Sequence, residues 1–280
     1  MELQTAFDLF LLSSHREDIT KRKYRYKLRP FLDLYGHLPV GQISAEMVAD
    51  WFTELKAAYA ESTLAMTRSC IVALFNYCLK QEWIERNPAG RLPRYSQKPK
   101  QIRIANEGDL AQALTFCGIL SRSIDPRHRR DAAIFALGAI SGARRSNLMM
   151  LSYTGIVAAL DHPIEGGRIG SIYAVTAAGK TEIEIVFGDW HAGLLRRYLE
   201  VRPATEHDRL LVHFRDNSQG EPLGAKGLGD ARRNVCRIAN VPVITFQEMR
   251  KLKGTKIARE YGLELAAEAL GHVSGTRVIR

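Results

Sequence analysis

Apolar residues recur at three- and four-residue intervals along most of this chain, and that period constrains the fold more than any other feature. Phe7, Phe10 and Leu11 make one apolar stripe, and Leu28, Phe31, Leu32 and Tyr35 another. The breaks are chemically marked. Gly36 ends the second helix, Ser44 with Glu46 opens the third near Met47, and Ser62 opens a fourth carrying Leu64, Ile71, Leu74, Phe75 and Leu79. Asn87-Pro88 is the expected stop of that helix. Residues 1–95 therefore predict a small four-helix bundle.

Residues 96–104 are polar and basic, without apolar period, and read as a linker. Such a segment serves either as a solvated connector or as a strand of cations that follows a phosphate backbone. Residues 105–280 form the expected second domain. Helices are predicted over 107–121 and 126–141, the latter with Asp125 as N-cap and Pro126 at its first position. From 152 to 187 the texture changes. Ile169, Ile172, Tyr173 and Val175, then Ile183, Ile185, Val186 and Phe187, predict a short antiparallel sheet. Helical spacing returns through Leu194, Leu195 and Tyr198, and over 226–240, 245–261 and 263–270. The fold class is mainly α, two domains, with one small sheet in the second.

Composition narrows the partner. The 280 residues hold 40 Lys and Arg against 30 Asp and Glu, a formal charge of +10, so nucleic acid is the leading partner and a membrane surface trails. Residues 226–280 hold eleven Lys or Arg against five acids, and 16–29 hold seven against two. The candidate DNA contacts are Arg22, Lys23, Arg25 and Lys27 in the first domain and Lys226, Arg232, Arg233, Lys251 and Lys253 in the second. Two basic surfaces on linked domains suit a grip on duplex DNA from two sides; the alternative is that they are ordinary solvated helix faces. Cys70, Cys78, Cys117 and Cys236 lack metal-ligand spacing, and no apolar stretch reaches a membrane span, so no metal, no cofactor and a cytoplasmic, nucleoid-associated location are expected.

Three short segments are candidates for chemistry. In Ser141-Gly142-Ala143-Arg144-Arg145-Ser146-Asn147-Leu148, a glycine break places Arg144 at the first turn of a new helix, which Leu148 and Leu151 dock into the core. A rooted guanidinium matches two phosphate oxygens, or else satisfies carbonyls or an acidic neighbour. Thr245 and Glu248 have the spacing of a capping box, so Gln247 and Arg250 share a face near a helix start. Gly271 ends a helix, and His272 follows it.

Taken in order, Gly-Ala-Arg-Arg-Ser, a strand hairpin with Lys180, Thr-Phe-Gln-Glu-Met-Arg and Leu-Gly-His resemble the tyrosine recombinases, or phage integrases. Ser62-Thr63-Leu64, opening a helix that precedes Asn87-Pro88-Ala89, resembles the end of that family's SAM-like core-binding domain. The resemblance implies a four-helix core-binding domain followed by a mostly helical catalytic domain. It also implies metal-free DNA cleavage and rejoining through a 3′-phosphotyrosine, by four protomers on two duplexes that exchange a C-terminal segment. Arg144 and Arg250 map onto the two arginines that clamp the scissile phosphate, His272 onto a hydrogen-bond partner of that phosphate, and Lys180 onto the hairpin lysine that protonates the leaving oxygen. Thr63, Arg68 and the 226–237 helix become groove-facing elements by the same analogy.

The sequence departs from the family pattern at several places. Gln247 stands where the family has a histidine, and it donates a hydrogen bond but does not shuttle a proton near neutral pH. Asn147 stands where the family has an acid supporting the first arginine. No tyrosine follows Tyr261, which lies eleven residues beyond Arg250, about 16 Å along a helix, too far to attack a phosphate held there. Tyr153, Tyr173 and Tyr198 read as packing residues. The first expectation is thus an integrase-like recombinase whose sequence ends before its nucleophile. The second is a catalytically degenerate homologue acting as a DNA-binding architectural or regulatory protein. The third is a helical RNA-binding or signalling module that shares only the basic charge.

Overall fold

The computed structural model describes residues 1–13, 17–95, 103–165, 170–178 and 182–271. Two compact units divide the chain, Met1–Gln101 and Ile102–Arg280. Residues 96–102, most of the expected linker, lie outside the described residues, as do Ile169, Lys180 and His272.

In the first unit, helices α1 (Leu3–Ser13), α2 (Asp18–Tyr35), α3 (Ala45–Ala58) and α4 (Glu61–Lys80) follow the apolar stripes. Those stripes meet in an aromatic core, with the Phe31 ring centroid 4.8 Å from that of Trp51 and 6.3 Å from that of Phe75. Ser44 caps α3 as its type predicts, its hydroxyl accepting the Met47 N–H at 3.2 Å. The fourth helix differs from expectation at both ends. It opens at Glu61 after Ala60, with Ser62 already inside the first turn, and it stops at Lys80. Asn87 is a latch for the following turn, donating to the Val72 carbonyl and to Asn76 Oδ1 while accepting from the Ala89 N–H. Asn-Pro therefore marks a turn well past the helix end.

The second unit contains α5 (Glu107–Leu120), α6 (Pro126–Ser141), α7 (Arg145–Met149), α8 (Tyr153–Asp161), β1 (Ile164–Glu165), β2 (Ser171–Ala177), β3 (Ile183–Gly188), α9 (Asp189–Leu199), α10 (Ala225–Ile238), α11 (Phe246–Tyr261) and α12 (Leu263–Ala269). The strands pair antiparallel in the order β1-β2-β3. Val175 opposite Ile185 and Tyr173 opposite Phe187 put alternate side chains on the core face, where the two rings stack at 5.5 Å. The sheet is shorter than the texture change suggested, because 153–161 is helical. Ser152 caps α8 by accepting the Gly155 N–H, a start signal that the β-branched run downstream obscured.

α6 is buried along almost its whole length, from Arg130 to Gly138 and at Ser141, and α5, α9, α10 and α11 pack around it. Asp125 accepts the Arg127 N–H at its start. Asp131, 3% exposed, accepts from Arg130 Nη2 at 2.7 Å in a buried ion pair within α6, and from Asn234 Nδ2 at 2.9 Å, which joins α6 to α10. On α9, burial pushes the His191 imidazole down to about 4. An unfolded histidine titrates near ~6.5, so between these values the unfolded chain holds a proton that the folded chain does not. Stability is therefore full above that window and falls as pH drops through it. His191→Gln is expected to lose less stability than the parent between pH 7 and 4.5, as read from urea unfolding at each pH; identical losses in both proteins would contradict the assignment.

Candidate phosphate-binding site

The C-terminus of α6 brings distant residues together. Gly142 ends the helix in the left-handed region at φ 58°, its N–H bonding the Gly138 carbonyl at 3.1 Å. A Cβ on Gly142 would lie 3.1 Å from Lys253 Cδ and 3.4 Å from the Arg250 Cα, so both the backbone angle and the proximity of α11 call for glycine. One turn earlier, a Cβ on Gly138 would meet the Phe246 ring at 2.6 Å. These two glycines let α6 and α11 approach closely. The Ser141 hydroxyl stiffens the exit by donating to the Leu137 carbonyl and accepting the Ala143 N–H.

Beyond this turn Arg144 occupies the N-cap of α7, one position before the helix proper, and α7 is a helix of five residues. Leu148 and Leu151 are both buried, so the segment is anchored as its sequence predicts, Leu151 lying past the helix end. Thr245 and Glu248 form the predicted capping box. The Thr245 hydroxyl accepts the Glu248 N–H at 3.1 Å, and Glu248 Oε2 accepts the Thr245 N–H at 2.6 Å. That fixes the start of α11 and the direction of Gln247 and Arg250.

Ala143, Arg144, Arg145, Gly229, Arg232, Thr245, Phe246, Gln247 and Arg250 line one cavity of about 580 Å³. Four of these lining residues are arginines and none is acidic. Arg250 is rooted by donating Nη1 to the Gly142 carbonyl at 2.9 Å and Nη2 to the Leu270 carbonyl at 2.5 Å. Burial, and after it the charge of Arg144, pulls the Arg250 guanidinium down to about 10, which leaves it protonated at neutral pH. Gln247 is exposed on the same cavity wall.

Several residues expected on the outer surface have other placements. Arg232 lies on the buried face of α10, donates Nη1 to the Ile244 carbonyl at 2.7 Å, and stands 5.9 Å above the Phe246 ring. It is a cavity residue that also braces the segment leading into α11. Its position four residues after Leu228 and three before Val235 signals an arginine on an apolar stripe. Lys253 points inward, its Nζ donating to the carbonyls of Ile140 at 2.7 Å and Ser141 at 3.1 Å, where it offsets the negative C-terminus of α6. Arg68 donates Nε to the Leu92 carbonyl, and Arg233 is ion-paired to Asp230. Arg22, Lys23, Arg25 and Lys226 are exposed, whereas Lys27, Thr63 and Lys251 are half-buried. Asn147 is buried, with its amide directed at the Ala177 and Ala178 carbonyls, acceptors that a carboxylate could not satisfy. Arg145 is the cavity arginine that its neighbour Arg144 eclipsed in the sequence.

None of the described tyrosines lines this cavity. The Tyr173 hydroxyl donates to Asp189 and that of Tyr198 to the Leu210 carbonyl; Tyr153 lies under the Arg202 guanidinium, and Tyr261 is exposed at the end of α11.

Residues 6–82 match the family described as phage integrase, N-terminal SAM-like domain. No curated protein sequence matches the chain. Among solved structures, a lambda integrase(75-356) dimer bound to a COC′ core site has a TM-score of 0.71 at 15% identity, covering 99% of this chain and 97% of that one. The XerH site-specific recombinase bound to difH substrate, a pre-cleavage complex, has a TM-score of 0.68 at 16% identity, covering 93% of this chain and 76% of that one. The Tn1549 transposon integrase in complex with circular intermediate DNA has a TM-score of 0.64 at 14% identity, covering 98% and 92%. The first domain is of the integrase SAM-like type, and the chain as a whole has the tyrosine-recombinase fold.

Thr245→Ala removes the cap that aims the α11 wall of the cavity. It is expected to cost about 1 kcal/mol of stability by urea unfolding, with Thr245→Ser close to the parent. An unchanged midpoint for the alanine variant would contradict the role assigned to the box.

Proposed function

We propose that this protein binds duplex DNA as a site-specific recombinase of the integrase type and that the arginine cavity holds one backbone phosphodiester. The observation that carries this reading is the convergence of Arg144, Arg145, Arg232 and Arg250, from three separate parts of the sequence, on one cavity with no carboxylate among its described lining residues. Four guanidiniums lining one cavity repel one another, and an anion in that space relieves the repulsion. A phosphodiester offers two nonbridging oxygens, and an arginine fork donates to both. In a strand-transfer reaction the charge on those oxygens grows as phosphorus becomes five-coordinate, so donors already rooted in carbonyls and helix caps stabilise the transition state more than the ground state. His272 and Lys180 belong to the same proposal as phosphate partner and leaving-group acid, as does a tetrameric assembly on two duplexes.

A second reading, a catalytically degenerate DNA-binding homologue, draws on Gln247 in the cavity wall and on a lining that holds none of the described tyrosines. Both readings assign the same task to these 280 residues, which is to hold DNA. A gel-shift titration tests that task. The parent is expected to bind duplex DNA with affinity that falls by about 10³-fold or more between roughly 50 and 200 mM salt. Arg144→Ala, which leaves no carbonyl of the described residues unpaired, should weaken binding about tenfold or more with its melting temperature kept. Flat salt dependence, or equal affinity for the Arg144→Ala variant, would overturn the proposal. Equal affinity for single-stranded RNA would favour the RNA-binding alternative.

A further inference from the structure

The second unit carries another cation-lined cavity, of about 310 Å³, between the start of α6, the 213–215 segment and the N-terminus of α10. Its wall includes Arg127, Arg130, His213, Arg215 and Lys226, with Asp230 as an acidic lining residue. The charges divide into two groups. Arg127 is ion-paired to Asp125 at 2.7 Å, Arg130 to Asp131 at 2.7 Å, and Asp230 to Arg233. Arg215 and Lys226 are exposed, and neither side chain forms an ion pair with a described residue. The net charge facing the cavity is therefore positive and unpaired.

Two further features suit an anion. α10 has Gly224 as its N-cap and no side-chain cap, so the free N–H groups and positive dipole end of a 14-residue helix lie at the cavity wall. Burial, and then the charges of Arg130 and Arg215, holds the His213 imidazole below its ordinary value, with Glu221 opposing. Neutral His213 offers an N–H to an incoming oxygen, and a bound phosphate would draw a proton back onto the ring.

We infer that this cavity is a second phosphate-binding site, in which Arg215, Lys226, His213 and the first turn of α10 hold a backbone phosphate of the same DNA, outside the arginine cavity. The inference rests on the DNA-binding reading and extends it to His213, Arg215 and the first turn of α10, giving Lys226 a specific partner. α10 links the two sites: Gly229 and Arg232 line the first cavity, and Lys226, Gly227 and Asp230 line the second. At about 100° per residue these sets occupy different sides of the helix. A duplex presents a charge every ~1.7 Å along its axis and so offers further phosphates beside the one held in the first cavity.

The test uses the whole chain and the double variant Arg215→Ala/Lys226→Ala, whose two positions are exposed. Inorganic phosphate is titrated while the His213 ring is followed by NMR, its signal assigned with His213→Gln. Phosphate is expected to raise the His213 titration midpoint in the parent and to leave it unmoved in the double variant. With duplex DNA, the double variant should show a log affinity against log salt slope shallower by about 1. No phosphate effect on His213, together with parental DNA affinity and slope in the double variant, overturns the inference while leaving the DNA-binding reading intact. A phosphate effect in a parent that shows no salt-dependent DNA binding sinks the DNA reading and reassigns the cavity to a free phosphate compound. A phosphate effect with an unchanged DNA slope overturns the attribution to DNA alone.

Discussion

The Arg250 guanidinium is the constraint on which the rest of the site depends. It bridges the Gly142 carbonyl, where α6 ends, and the Leu270 carbonyl, where α12 ends. One side chain of α11 thereby ties two helix C-termini together and is itself held in one orientation. Lys253, one turn further along α11, does related work on the Ile140 and Ser141 carbonyls. Cations are well placed at a helix C-terminus, where unsatisfied carbonyls carry partial negative charge. Around the end of α6, backbone carbonyls thus steady the cations of α11. Those acceptors are neutral, whereas an arginine anchored by a glutamate would bring its own counter-ion.

The arrangement has an energetic cost, visible at Arg250, where burial and the neighbouring Arg144 charge both disfavour protonation. A structure that keeps such a cluster charged stores repulsion that an anion releases on binding. Binding and stability are then linked, because whatever occupies the cavity also favours the folded chain. Arg232 adds to the same balance, since its bond to the Ile244 carbonyl stiffens the approach to α11 while its charge faces the cavity. Close packing completes the device. Gly138 and Gly142 bring α6 against α11, and any Cβ at either position would push the cavity walls apart.

Local chemistry was legible wherever a signal and its consequence lie within one turn. Asp125-Pro126 opens α6, Ser44 caps α3, and Thr245 with Glu248 makes a capping box, all from contacts between near neighbours. Errors arose where a strong signal masked a weaker one or where a partner was remote. The β-branched run hid α8 behind it, and Asn87 served a turn rather than the end of α4. Lys253 and Arg232 resemble their surface neighbours in residue type, and what turns them inward is a carbonyl far away along the chain or across a loop.

By itself the sequence determined the helical periods, the caps, the excess of positive charge and the order of motifs resembling an integrase. These are properties of residue type and short spacing, which act through local hydrogen bonds and one-sided apolar faces. The tertiary structure alone decided which arginines share a cavity, because that depends on how closely α6, α10 and α11 pack. It also decided which lysines and arginines are spent on backbone carbonyls and which still present charge to a ligand. A guanidinium is the same group in either setting, and only the acceptors that folding brings within about 3 Å separate the two uses.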